Sequence, residues 1–224
     1  MATEIIVLIA GIILGYLMGS INFAMIYSWL FSHKDIRDMG SGNAGMTNVM
    51  RTVGVLPGIL TFVGDFVKGI GAVLVGRYLL YLFIDPVGII IPEYTAYFCA
   101  MAAQLGHIFP VYYGFRGGKS VATSIGILFM MDWRAGIIAF GVFIIMVLIT
   151  KIVSISSITG AFTAPFSVYF LNRAANPDTI VLETVLCGII VAVLITAHWQ
   201  NIGRIIRGEE KKLSISKKKT AADK

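Results

Sequence analysis

Three polar, glycine-rich patches interrupt an otherwise apolar chain, and their residues are of the kinds that bind phosphate. They span residues 40–51, 106–120 and 198–208 and are called patch 1, patch 2 and patch 3. Glycine lets backbone N–H groups turn toward an anion, and each patch also contains lysine or arginine. Residues of this kind are rare at membrane depth unless they have a function. The patches therefore predict a phosphate-binding site beside a lipid bilayer.

Patch 1 places small and hydrogen-bonding residues just before an arginine. Its candidate binding residues are Ser41, Gly42, Asn43, Thr47, Asn48 and Arg51. Backbone N–H groups that converge near the start of a helix bind anions, which favours a phosphate site. The alternative is a tight loop that is capped by its own serine, asparagine and threonine side chains. The spacing matches neither a Walker loop nor a dinucleotide-binding fingerprint.

Patch 2 combines a histidine, a Phe-Pro pair and an Arg-Gly-Gly-Lys run. Its candidate residues are His107, Gly117, Gly118, Lys119 and Ser120. The proline interrupts regular helix, the two glycines permit close approach of the backbone, and the lysine acts as a point charge on phosphate. The alternative is a packed histidine with a lysine that reaches the membrane interface for solvation.

Patch 3 has helical spacing. His198 and Asn201 lie three residues apart and share one helix face, which Arg204 can join. Glu210 follows within reach of a basic side chain. The alternative is a helix end that carries interfacial polar residues.

Two smaller polar clusters lie in apolar segments. Ser154, Ser156 and Ser157 could cap a helix or donate hydroxyl groups to a phosphate, and both interpretations stay open. Asp65 and Lys68 are three residues apart and are expected to pair on one helix face, which favours an architectural role.

The composition indicates which elements must position these residues. The chain has 224 residues, of which 57% are hydrophobic and 13% are charged. A soluble domain would carry about twice that charge. We predict an all-α, polytopic helical integral membrane protein with about seven spans. The spans are predicted near residues 5–32, 54–84, 94–113, 120–131, 135–150, 152–172 and 180–200. The fourth and fifth are either short crossings or one re-entrant hairpin, and their full crossing stays open.

Seven crossings that start outside the cell place all three patches on one face. That face also carries most of the lysines and arginines near the spans, namely Lys34, Arg37, Arg51, Arg116, Lys119 and Lys151. The opposite face carries only Arg134 and Arg173 near the spans. The positive-inside rule then makes the patch face cytoplasmic. A re-entrant hairpin would leave this orientation unchanged. Residues 1–207 are expected to form one transmembrane domain, and residues 208–224 a basic, disordered cytoplasmic tail.

The sequence predicts neither a signal peptide, nor a metal or cofactor site, nor a nucleic-acid partner. No basic segment precedes the first apolar stretch, so a cleaved signal peptide is not predicted. Cys99 and Cys187 lie in apolar segments and are expected to pack as small hydrophobic residues. The sequence contains no recognisable metal-binding motif, and no cofactor is predicted. The net charge is +6, but the basic residues border the predicted spans and the sequence contains no nucleic-acid-binding motif. No nucleic-acid partner is therefore expected.

The ordered motifs resemble one known family, the bacterial acyl-phosphate:glycerol-3-phosphate acyltransferases (the PlsY family). Its SGNxGxTN segment with a following arginine matches residues 41–51, and its GHxFPxxxxFxGGK segment matches residues 106–119. Its HxxNxxR segment and Gly-x-Glu region match residues 198–210. Ser120 stands where the family commonly has glycine, and Met46 and Trp199 depart from its common alanine and arginine.

The resemblance implies that an acyl group moves from acyl phosphate to the 1-hydroxyl of glycerol 3-phosphate. The products would be lysophosphatidic acid and inorganic phosphate, in the first acylation step of phospholipid synthesis. His198, Lys119, Arg51 and Asn201 would be catalytic, and the remaining candidates would bind substrate. The partners would be the two substrates, the bilayer of the bacterial inner membrane, and an upstream enzyme that forms acyl phosphate.

Two other functions stay open at this point. A transporter or channel for an organic phosphate anion would also need broken helices and buried cations. An acyl-CoA-dependent acyltransferase is the second, because His33 and Asp38 fit an HxxxxD spacing outside the three patches.

Overall fold

The computed structural model describes residues 2–83 and 92–213, and the regular elements in these ranges are all helical. The α-helices are α1 Ala2–Ser20, α2 Phe23–Ser32, α3 Met46–Thr52, α4 Val55–Phe83, α5 Pro92–Ile108, α6 Val121–Met131, α7 Trp133–Thr150, α8 Val153–Asn172, α9 Ile180–Thr196 and α10 Trp199–Ile206. Single 3-10 turns occur at Ile36–Asp38 and Val111–Tyr113. The all-α prediction is thus confirmed for the described residues.

The apolar stretches carry the long helices, with one difference at the N-terminus. The predicted span 5–32 is two helices, because α1 ends at Ser20 and α2 begins at Phe23. Asn22 caps α2 by accepting a hydrogen bond from the backbone N–H of Met25 at 3.2 Å. An asparagine cap favours a new helix start over continuation of the old one.

Among the described residues, length and composition identify three stretches that can cross a membrane: Ile5–Ser32, Val55–Tyr78 and Trp133–Thr150. A fourth is added if α9 and α10, which are bent by 61° relative to each other, form one broken span. α6 is apolar but has 11 residues, fewer than the roughly 20 that a perpendicular crossing needs. The seven-span count therefore stays a prediction.

The core lies where α4, α5, α6, α8 and α9 meet. Its buried members include Val73, Ala100, Ile127, Ala164 and Ile190. On the other side of α5, α1 packs closely because Gly106 has no side chain. A Cβ there would collide with the carbonyl oxygen of Tyr16, so glycine permits the contact that holds patch 2 against α1.

A buried ion pair joins the helices behind patch 2. Lys68 Nζ lies 2.7 Å from Asp65 Oδ1 on the same face of α4, as the spacing predicted. The same ammonium donates to the carbonyl of Ile21 at 2.7 Å, in the break between α1 and α2, and lies 2.9 Å from His107 Nδ1. These side chains are less than 10% exposed. One lysine thus connects α4, α5 and the break between α1 and α2.

Removal of this lysine should destabilise the fold. Lys68→Met leaves the Asp65 carboxylate buried without its counter-charge, which costs about 3–5 kcal/mol. The thermal unfolding midpoint in detergent should fall clearly, whereas the double variant Asp65→Leu/Lys68→Met should recover most of the loss. Lys34→Met, at an exposed position, serves as the control. An unchanged midpoint in Lys68→Met would rule out a stabilising role for the pair.

The predicted tail from residue 208 is described as far as residue 213. This part lies against the helical body, since the N–H of Leu213 donates to the carbonyl of Lys151 at 2.6 Å. Residues 84–91 and 214–224, which include the connection after α4 and the lysine-rich end of the tail, lie outside the described residues.

Candidate active site

Lys119 and Asn201 form the centre of a polar network that joins patch 2 to patch 3. Lys119 Nζ donates to Asn201 Oδ1. Asn201 Nδ2 donates to Ser154 Oγ at 2.7 Å and to Glu210 Oε1 at 2.5 Å. Residues far apart in sequence are therefore in direct contact, and they come from the loop before α6, from α8, from α10 and from the C-terminal segment.

Glu210 completes this network from the C-terminal side. Its Oε2 accepts from Arg204 Nε at 2.7 Å, and its Oε1 accepts from Ser154 Oγ at 2.6 Å. Burial raises the pKa of this carboxyl, but hydrogen bonds from Ser154, Arg204 and Asn201 outweigh burial and bring the pKa below its usual value. Glu210 is thus an anion held among donors that also suit a phosphate.

Lys119 lies in a partly desolvated position. Burial lowers the pKa of its ammonium group to about 8, and the nearby Arg204 adds to this effect while Glu210 opposes it. Desolvation disfavours the charged form of a lysine, and an anion beside it restores that form. A phosphate that binds here would therefore be expected to keep Lys119 protonated.

The loop 117–120 packs between patch 1 and the buried histidine of patch 2. The N–H groups of Gly117 and Gly118 donate to the carbonyls of Ile108 and His107, both at 3.1 Å. A Cβ at Gly118 would collide with the carbonyl oxygen of Ala44 and with Nε2 of His107. Patch 1 and patch 2 are therefore neighbours, and their contact requires glycine at this position.

Ser120 has an unusual backbone conformation for its residue type. Its φ is 61°, in the left-handed region that favours glycine. This explains why glycine at this position suits the family that the motifs resemble. The side chain is 1% exposed, and its Oγ forms no hydrogen bond with the described residues. Ser120 therefore has a free hydroxyl at the start of α6.

Asn48 shapes the loop of patch 1 with all of its polar atoms. Its Nδ2 donates to the carbonyls of Ile36 and Met39 at 3.2 and 2.9 Å, and its Oδ1 accepts from the N–H of Ser41 at 3.0 Å. It is 2% exposed. The structure thus shows Asn48 in a loop-forming position, with Gly42 in the exposed loop that it holds.

The other predicted side chains of patch 1 are available for a ligand. Within residues 2–83 and 92–213, no side-chain hydrogen bond is made by Ser41, Asn43, Thr47 or Arg51. Ser41 is exposed and the other three are half-buried. Sequence reasoning missed the anchor of this loop, which is Arg37: its Nη1 donates to the carbonyl of Tyr113 at 2.7 Å. The Asp-x-Arg spacing was the available signal, since Asp35 pairs with Arg37 at 2.7 Å.

The two histidines have different surroundings. His198 is 2% exposed, and its Nδ1 lies 2.8 Å from the carbonyl oxygen of Leu194. Because a carbonyl can only accept, Nδ1 carries the proton. Nε2 of a neutral ring is then an acceptor, and it has no hydrogen-bond partner among the residues that the structure describes. His107 instead lies behind the loop 117–120 and contacts Lys68.

The three serines of α8 also have different hydrogen-bond partners. Ser154 belongs to the network around Asn201. Ser156 and Ser157 donate their hydroxyl protons to the carbonyls of Ile152 and Val153, each at 2.9 Å. Only the lone pairs of these two hydroxyls are left for another partner. No group of three or more His, Cys, Asp and Glu residues in the described part of the chain is arranged to hold a metal ion.

Comparison with known sequences identifies the family of this chain. The sequence model of a family described as glycerol-3-phosphate acyltransferase matches residues 9–208. The chain belongs to the glycerol-3-phosphate acyltransferase family. One relative, the glycerol-3-phosphate acyltransferase of Thermosynechococcus vestitus, is 38% identical over 216 residues, which are 96% of this chain and 99% of the relative.

Solved structures extend the similarity to the fold. The crystal structure of PlsY (YgiH), an integral membrane glycerol 3-phosphate acyltransferase, in its glycerol 3-phosphate form has a TM-score of 0.76 and 32% identity. The match covers 92% of this chain and 96% of that one. The lysophosphatidic acid form gives a TM-score of 0.75 and 30% identity, over 93% and 96% of the two chains. This protein is therefore a bacterial integral membrane protein, and it has the PlsY fold.

Proposed function

We propose that this protein transfers a fatty acyl group from acyl phosphate to the 1-hydroxyl of glycerol 3-phosphate. The hydroxyl oxygen attacks the carbonyl carbon, an ester bond forms, and the bond from that carbon to the phosphate oxygen breaks. The products are lysophosphatidic acid and inorganic phosphate. Family membership supports the acyltransferase activity and the acceptor. The anhydride donor is part of the proposal, and it is the donor implied by the family that the motifs resemble.

The network of Lys119, Asn201 and Arg204 is the observation that carries this proposal. The donor is an activated anhydride, so no enzyme nucleophile is required. The protein must hold two anions together and stabilise the charge on the carbonyl oxygen and on the departing phosphate. Cationic and amide donors that already hold the Glu210 carboxylate suit an anionic ligand.

Two groups of residues are assigned to the two substrates. The acceptor would be held by Ser41, Arg51, Lys119, His198 and Asn201, with Arg204 and Glu210 supporting them. The donor phosphate would be held by Asn43, Thr47 and Ser120. The N–H groups of Gly42, Gly117 and Gly118 already donate to backbone carbonyls, and the Ser154 hydroxyl donates to Glu210, so these residues do not donate to the phosphate as the sequence had suggested. They would instead support the loops around it, as would Asn48, His107, Ser156 and Ser157. The four free side chains of patch 1 and the unpartnered Ser120 hydroxyl favour these assignments.

The proton of the attacking hydroxyl has two candidate acceptors. Nε2 of His198 is a free acceptor on a ring whose orientation Leu194 fixes. A phosphate oxygen of either substrate is the other candidate, in which case His198 orients the hydroxyl. A general base contributes typically 10²–10⁴-fold, so a much smaller loss in His198→Gln would favour the substrate phosphate.

We also propose how the protein lies in the inner membrane. Seven spans with the N-terminus outside would place the site and the C-terminus on the cytoplasmic side, where soluble glycerol 3-phosphate is available. The lysines and arginines that border the patches support this orientation. Residues 1–207 would form the transmembrane domain and 208–224 the basic tail. Acyl phosphate would come from an enzyme that forms it at the same membrane.

A phosphate-release assay tests the proposed reaction. Purified protein with palmitoyl phosphate should release phosphate only when glycerol 3-phosphate is also present, and lysophosphatidic acid should form in equal amount. Palmitoyl-CoA in place of palmitoyl phosphate should give no product. Activity with palmitoyl-CoA alone would contradict the donor, and flux of glycerol 3-phosphate into proteoliposomes without a donor would instead support transport.

The pH dependence should follow Lys119. Its pKa of about 8 means that the free protein loses this charge as pH rises through about 8 and retains it below. The phosphate of the substrate is already a dianion there, since its second pKa is about 6. We expect kcat/KM for glycerol 3-phosphate to fall above about pH 8, because this ratio reports the free enzyme. In Lys119→Arg the guanidinium stays charged, so the decline should disappear even if activity is lower.

A further inference from the structure

An apolar cavity lies directly beside the polar site. It is a narrow cavity of about 50 Å³ between α5, α6, α7, α8 and α9. Its walls are almost entirely carbon, from residues such as Ile127, Leu128, Phe143, Ala161 and Val191. An apolar space of this kind favours a hydrocarbon occupant over a polar one.

The cavity approaches the site at Leu194, which lines it and whose carbonyl oxygen lies 2.8 Å from Nδ1 of His198. Three of its lining residues lie within about one helical turn of network or catalytic candidates. The pairs are Val121 with Lys119, Ser157 with Ser154, and Leu194 with His198. A phosphate at the network would therefore direct an attached acyl chain into the cavity.

Tyr97 and Met131 close the far end. Both side chains line the apolar cavity, and both also line a second, polar cavity on its other side. Met131 ends α6, ten residues after Val121, which corresponds to about 15 Å of helix. The two residues therefore form a partition between an apolar and a polar space.

The second cavity is unsuitable for hydrocarbon. Its walls include Arg77, Asp132, Arg134, Asn172 and Glu183. Arg77 donates to the carbonyl of Met130 at 3.0 Å, and Arg134 pairs with Asp132 at 3.2 Å. A methylene group that passed the partition would leave apolar contact for charged and hydrated surroundings, which is unfavourable.

We propose that Tyr97 and Met131 set the longest acyl chain that the enzyme uses efficiently. The proposal rests on the proposed function, because the cavity would hold the acyl chain of the donor. A chain that ends at the partition buries all of its methylene groups. A longer chain must displace the partition or project into the polar cavity. Chain length is thus limited by the position of two side chains at the end of α6 and in α5.

Variants at the partition and in the wall test this limit in opposite directions. Met131→Ala should extend the cavity, and Ala161→Leu should shorten it. We would measure kcat/KM with a series of saturated acyl phosphates from twelve to twenty carbons. Because one methylene in an apolar pocket changes selectivity by about tenfold or more, the ratio of long to short donors should rise about tenfold in Met131→Ala and fall about tenfold in Ala161→Leu.

Met130→Ala is the matched control, since Met130 is adjacent in sequence and lines neither cavity. Its chain-length profile should equal that of the unmodified protein. Unchanged profiles in both Met131→Ala and Ala161→Leu would overturn the proposal, as would an equal shift in Met130→Ala. Absence of phosphate release from the unmodified protein with every donor would instead overturn the proposed function.

Discussion

Lys119→Ala should lower transfer by about 10²–10³-fold, the cost of removing one donor that stabilises developing charge. The ammonium group contacts Asn201 at the centre of the network, and no other lysine side chain takes part in that network among the described residues. The variant should still insert and fold, because removing the ammonium leaves no opposite charge buried without a partner. Steady-state phosphate release in detergent, with both substrates varied, measures the effect.

Lys34→Ala controls for a general loss of positive charge, since Lys34 is exposed and outside the network. Its activity should stay within about twofold of the unmodified protein. Gel filtration and the thermal midpoint show whether Lys119→Ala is folded. A folded Lys119→Ala protein with near-normal turnover would refute the role assigned to this lysine.

Gly118→Ala should lower activity by about 10²-fold without any change of charge. The new methyl group would meet the carbonyl oxygen of Ala44 on one side and the ring of His107 on the other. The loop must shift to relieve these contacts, and Lys119 follows Gly118 directly. Misplacement of a reacting group by about 1 Å can cost 10²-fold. The loss should appear in kcat for the complete reaction with saturating substrates.

Gly141→Ala is the matched control for Gly118→Ala. Gly141 lies within α7, and a Cβ there has no atom within 4 Å. Alanine in a helix interior is more favourable than glycine, so stability should rise slightly and activity should not change. If Gly118→Ala retained full activity, the loop 117–120 could not be the rigid element that places Lys119.

Sequence patterns predicted the elements better than their contacts. Apolar stretches located α4, α7 and α8 closely, because a helix in lipid must be long and uncharged to satisfy its backbone. The break at Ser20–Asn22 was missed, since both flanks are apolar and the interruption depends on an asparagine cap and on a lysine from another helix. Such a break depends on tertiary contacts, and hydropathy averaged over a stretch of sequence does not describe them.

The residue types of the site could also be predicted. Which of them face a ligand and which stabilise the loops could not. Lys119 and Asn201 were expected to share a site because the predicted topology places all three patches on one face, and Glu210 was expected within reach of a basic side chain. Asn48 looked equally suited to a ligand, yet its amide is committed to three backbone groups of its own loop. Whether a polar side chain faces a loop or a ligand depends on the path of the backbone, which spacing alone does not specify.

The return of residues 208–213 onto the helical body has a consequence for biosynthesis. Lys119 comes from the middle of the chain, whereas Glu210 is added after α10 has been made. A chain that ended before residue 210 would leave the Asn201 amide without its carboxylate partner and Arg204 without its counter-charge. The polar network around Asn201 is therefore completed only by residues that are synthesised near the end of translation.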